Sequence, residues 1–156
     1  EANLGDGVFD YSGLRAVGGT WSIGSDSHVT RSWSEELRLL EYSQRLTQRK
    51  RNVAASARHR STAAALFEAA LAGGLPATSL ALGGLAVGQR ADFSVLNTAA
   101  PALLGVPSDH VLDAQIFSSP DAAPAAVYVA GQPPASAAQL HPVARDYRTA
   151  MQALWA

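Results

Sequence analysis

The longest periodic stretch of apolar and polar positions lies between Ser32 and Arg51. Trp33, Leu37 and Leu40 fall on one helical stripe and Leu39, Tyr42 and Leu46 on a neighbouring one, while Glu36, Arg38, Glu41, Arg45 and Arg49 face elsewhere. Ser32 and Glu35 stand at S-x-x-E spacing just before it, the pattern of a helix start whose side chains satisfy the first free N–H groups. An acidic beginning and a basic end (Arg45, Arg49, Lys50, Arg51) complement the helix dipole, and Glu41 with Arg45 is an i,i+4 pair worth about 0.2–0.5 kcal/mol. The basic cluster therefore reads as a solvated helix end before it reads as an anion site.

Other segments predict further elements. Glu1–Gly7 is a loop, for its glycines and its Asn and Asp favour turns. Val8–Val17 has a partly helical spacing that Gly18-Gly19 stops, and Thr20–Ile23 is a short strand ended by Gly24. Ser61–Ala72 is apolar on most sides, as suits a helix packed between other elements, and Gly73-Gly74 with Pro76 predicts its end. Ala91–Leu96 and Ala126–Val129 alternate as half-buried strands, with a short apolar segment, Val111–Phe117, in the Pro- and Ala-rich stretch between them. Tyr147, Met151, Leu154 and Trp155 place a terminal helix over Ala144–Trp155. A lone strand such as Thr20–Ile23 needs parallel neighbours reached through helical crossovers, and the residues before it are too few to supply them. With a first residue that is Glu and no leader pattern, the chain is expected to be truncated.

Composition narrows the classes. The 156 residues are 47% hydrophobic, enough for one domain with a core. Twelve basic and thirteen acidic residues are interspersed with no basic stripe, which argues against nucleic acid. Apolar runs are broken well short of the roughly 18–20 residues of a membrane span. Cysteine is absent, so any metal site must use His, Asp or Glu.

Asp26, in Gly24-Ser25-Asp26-Ser27-His28, stands at the carboxyl end of the predicted strand, where α/β barrels place catalytic residues. There a carboxylate can ligate a divalent metal and shuttle the proton of an activated water. Equally, Asp26 can cap the following turn, and spacing alone leaves both readings open. His28 is a candidate for orienting that carboxylate or a substrate group, against the plainer reading of a loop residue with a local hydrogen bond. His59, His110 and His141 take structural readings, and Asn3 with Gly5 and Gly7 shapes a loop.

Glu1-Ala2-Asn3-Leu4-Gly5-Asp6-Gly7, Ile23-Gly24-Ser25-Asp26-Ser27-His28-Val29 and Glu35-Glu36-Leu37-Arg38-Leu39-Leu40-Glu41-Tyr42 together resemble the N-formimino-L-glutamate deiminases of the amidohydrolase superfamily. Downstream, Gly84–Phe93 resembles the superfamily's return from its barrel into a small β-sandwich, and Val127–Gln132 the hairpin before its final helix. The resemblance implies an α/β chain, the C-terminal part of a (β/α)₈ metal-dependent hydrolase. Residues 1–82 would be the end of the barrel with strand 8, 83–135 part of the sandwich, and 136–156 a C-terminal helix. It further implies one divalent metal, zinc, with Asp26 as ligand and proton shuttle, the histidine ligands and the acidic general acid/base lying upstream. The implied reaction is hydrolysis of the formimino C–N bond of N-formimino-L-glutamate to N-formyl-L-glutamate and ammonia, in cytoplasmic histidine breakdown. The substrate is a small molecule, and a homodimer is one arrangement open to the complete enzyme. Alternatives are a deaminase of a purine or pyrimidine ring, or a non-catalytic remnant. Pro133-Pro134 departs from the family pattern and is expected to shorten the last hairpin, because proline has no N–H for the ladder.

Overall fold

Side-chain caps set where the helices begin. The computed structural model describes residues 2–118 and 122–155, so Glu1 of the opening motif, residues 119–121 and Ala156 lie outside the described residues. Helix α1 (Tyr11–Ala16) starts where the Asp10 carboxylate accepts the Gly13 N–H at 2.9 Å. It ends as a Schellman turn, with Gly18 N–H donating to Arg15 O and Gly19 N–H to Leu14 O while Gly18 holds φ +70°. Helix α2 (Trp33–Gln48) begins with the Ser32 hydroxyl accepting the Glu35 N–H. Helix α3 (Thr62–Thr78) is capped twice, by Ser61 on the Ala64 N–H and by Asp113 of α4 (Val111–Phe117) on the Ala63 N–H at 3.1 Å. Helix α5 (Ala137–Leu154) carries a complete capping box between Ser136 and Gln139.

Two expectations about helix ends are corrected. α3 does not stop at Ala72 but runs through Gly73, Gly74 and Pro76 to Thr78. The glycines serve as a contact surface: a Cβ on Gly73 would sit 1.8 Å from the Trp21 carbonyl oxygen, and one on Gly74 would meet the Ser22 hydroxyl at 2.7 Å. Pro76 sits close to the end of the helix, where the missing N–H costs one bond to the Ala72 carbonyl. α5 starts at Ala137, in keeping with the family pattern's helix over 136–156 and not at Ala144 where helical spacing begins it, its cap outweighing Pro142 in its second turn.

Residues 20–25, expected to include a strand, join no ladder among the described residues. A strand needs a neighbour for its N–H and C=O groups, and here the segment lies on α3 instead, with Ser22 Oγ donating to Ala70 O at 2.9 Å. Trp21 and Ile23 pack from it against a core of Tyr11, Leu37, Ala54, Ala63, Leu66, Ala70 and Ile116, contributed by α1 to α4 and the loop after α2. The pair β1 (Phe93–Val95) and β2 (Ala126–Tyr128) is antiparallel, with Phe93 opposite Tyr128 and their rings stacked at 4.6 Å. Ala130 and Gly131, both at positive φ, turn the chain between Val129 and Gln132, and pairing ends there, just before Pro133. The described residues thus hold five α-helices and one two-stranded antiparallel sheet; the barrel itself is not among them.

The polar side of α2 also differs from expectation. Glu41 is fully buried, accepting from Arg45 Nε (2.8 Å), Val53 N (2.8 Å) and Ala54 N (3.0 Å). Arg45 also donates to Asn52 Oδ1 and lies over the stacked rings of Tyr42 and Phe117. Arg15 reaches the Val53 and Ala54 carbonyls from α1. Glu41 and Arg45 therefore clamp the loop after α2 onto the helices, while Arg49, Lys50 and Arg51 remain exposed as expected.

Candidate active site

Asp26 stands on a tight turn between the segment lying on α3 and the start of α2. The turn is closed by the His28 N–H donating to the Ser25 carbonyl. Asp26 itself adopts φ 36°, in the left-handed region. Aspartate tolerates that conformation better than most residues, yet it remains strained, and such strain concentrates where a site needs a side chain held in one direction. Its carboxylate is exposed and makes no hydrogen bond or ion pair among the described residues, which leaves it free to accept a proton or ligate a cation.

A cleft of about 420 Å³ opens beside this turn, lined among others by Asn3, Asp6, Asp26, His28, Glu36 and Leu39. Asn3 Nδ2 donates to the Ser27 carbonyl at 2.7 Å, tying the opening loop to the Asp26 turn. Glu36, placed with the outward polar stripe by its helical spacing, has Oε1 buried without a hydrogen-bond partner and borders both this cleft and an adjoining apolar one of about 710 Å³ walled by Phe9, Trp21 and Leu40. Three carboxylates on one small cleft favour the approach of a cationic group. Nothing in the residue pattern singled out Glu36, because α2's first turn is where acidic residues also stand merely to offset the helix dipole.

His28 is half-buried and lines the same cleft, but no hydrogen bond joins its ring to Asp26. The other histidines lie elsewhere: His59 Nδ1 is 3.5 Å from Glu68, His110 Nε2 is 3.8 Å from Asp109, and His141 is on α5. A metal site needs several convergent donors, and no group of three His, Cys, Asp or Glu among the described residues provides them. Asp26 fits the part of a single ligand, being exposed, without a hydrogen-bond partner among the described residues, and part of the cleft's lining.

This arrangement of helices, Asp26 turn and short hairpin is similar to part of a solved amidohydrolase. It superimposes on the crystal structure of an amidohydrolase from Brucella melitensis with a TM-score of 0.80 and 39% identity, covering 99% of this chain and 34% of that one. In sequence it is 46% identical over 132 residues to the formimidoylglutamate deiminase of Pseudomonas aeruginosa, a stretch that takes in 85% of this chain and 29% of the deiminase. No family model matches the chain. The resemblance drawn from the Gly24–His28 and Glu35–Tyr42 motifs is thereby borne out, and the chain spans about a third of the length of the relatives it matches.

Proposed function

We propose that this chain is part of a hydrolase that cleaves the formimino C–N bond of N-formimino-L-glutamate, and that Asp26 is its proton-transferring carboxylate. The observation that carries the proposal is the 46% identity with the Pseudomonas aeruginosa deiminase, a likeness that extends along 85% of the chain. Water oxygen adds to the formimino carbon, the bond from that carbon to the terminal nitrogen breaks, and the products are N-formyl-L-glutamate and ammonia. Asp26 takes a proton from the water and returns it to the departing nitrogen, for which an exposed carboxylate without competing hydrogen bonds is suited. Asp26 is also the residue here that would hold a divalent metal, zinc, whose chemistry when bound is Lewis-acid activation of water near neutral pH. His28 is kept as a residue beside the substrate.

The charge of the cleft supports an amidine over a neutral heterocycle. A formimino group is cationic when protonated, and Asp6, Asp26 and Glu36 border the space it would enter. Purine and pyrimidine rings bring no such charge. With the activity go a cytoplasmic setting in histidine breakdown and a homodimer as one arrangement of the enzyme; no helix among the described residues is long and apolar enough to cross a membrane.

Ammonia release by the full-length protein from N-formimino-L-glutamate, guanine and cytosine tests the proposal. Turnover of the formimino compound alone is the expected result, and turnover confined to a ring substrate overturns it.

A further inference from the structure

We propose that Asn3 is a positioning residue for Asp26, fastening the opening loop to the turn that carries this carboxylate; the proposal rests on the role given to Asp26 above. The Asn3 side-chain amide donates to the Ser27 carbonyl at 2.7 Å across 24 positions of sequence. Little else holds that turn. Asp26 and Ser27 are both exposed, and among the described residues the preceding segment pairs with no strand and the turn's one internal bond is His28 N–H to Ser25 O. Asp26 meanwhile sits at φ 36°, a strained conformation that relaxes unless its surroundings hold it.

A bond to the Ser27 carbonyl holds the Ser27–His28 peptide, whose N–H also closes the turn on Ser25, and so supports the turn that directs the Asp26 carboxylate toward the cleft. The opening loop is shaped to deliver it. Gly5 at φ +77° and Gly7 at φ +99° bend the chain back with open space around both, so the backbone conformation is what requires glycine there. Asn3 and Asp26 then line one cleft from two separate segments. Groups that orient a catalytic or ligating carboxylate from outside it are typically worth about 10- to 100-fold in activity or metal affinity.

The test is Asn3→Ala in the full-length protein, read by two independent measurements. Amide hydrogen exchange on the metal-free protein is expected to quicken roughly tenfold at His28, the loss of about one hydrogen bond's worth of order, with the exchange of α2 unchanged. In the loaded enzyme kcat is expected to fall about 10-fold or more with KM within about twofold, as follows from a misdirected carboxylate and an intact binding cleft. Wild-type exchange at His28, or wild-type kcat, overturns the proposal, and so does faster exchange throughout α2, which would make Asn3 a general structural support. Should Asp26→Asn prove active, the role of Asp26 falls, while exchange at His28 still reports whether Asn3 holds the turn.

Discussion

Helices α2 and α5 are of similar length, both amphipathic and both capped by a serine, yet they have opposite fates. α2 buries Leu37 and Glu41 almost wholly and packs against α1, α3 and α4. α5 buries no residue, touches no other helix or strand among the described residues, and leaves Leu140, Val143, Tyr147 and Leu154 more than half exposed. Periodicity states which face of a helix is suited to burial; it does not state that a partner is present. The helix that has its partners is also the one that borders the Asp26 cleft, so the ordered part of the site is built on the buried region.

The contrast can be broken most strongly at Glu41. Glu41→Ala strips the carboxylate from Arg45 and from two backbone N–H groups, and is expected to cost about 3 kcal/mol by urea denaturation. Gly73→Ala comes next. In an exposed helix the change would stabilise, but here the new Cβ collides with the Trp21 backbone, so a loss of about 2 kcal/mol is expected, accompanied by a change in Trp21 fluorescence.

Tyr11 supplies a pH-dependent effect. Burial pushes its phenol above the ordinary value of 10.0, with Glu41 adding to the rise and Arg15 opposing it. A raised value in the folded state means the neutral phenol is favoured there, so this stability is complete below pH 10.0 and is lost as pH rises through the folded value. Stability measured against pH should therefore fall more shallowly on the alkaline side in Tyr11→Phe. The smallest effect is expected from Leu140→Ala on α5, under about 0.5 kcal/mol, because the side chain leaves nothing behind when removed.

How much of this was legible in the sequence follows the range of the interactions concerned. The start of α2 and its Trp33, Leu37 and Leu40 face are written in residues three and four apart, and both appear as read. The two short strands and the end of the hairpin before Pro133 were legible for the same reason. Helical period sets Glu41 off the apolar stripes, because it assigns a stripe but not the loop that folds back over it. Gly73-Gly74 has two meanings, helix stop and close approach, and only the position of Trp21 decides between them. The family pattern begins α5 at residue 136, whereas the helical spacing of Tyr147, Met151, Leu154 and Trp155 marks only its second half, although Ser136 and Gln139 carry the S-x-x-Q signal. At the site, the Gly24–His28 motif pointed to Asp26, whereas the link from Asn3 and the inward bearing of Glu36 depend on segments brought together by folding.

The central claim is that Asp26 does the proton transfer, and the most direct test is ammonia release from N-formimino-L-glutamate by full-length Asp26→Asn beside the unaltered protein. The amide keeps the shape but cannot accept the proton, so turnover is expected to fall at least about 100-fold with circular dichroism unchanged. Turnover within a few-fold of the unaltered protein would contradict the account.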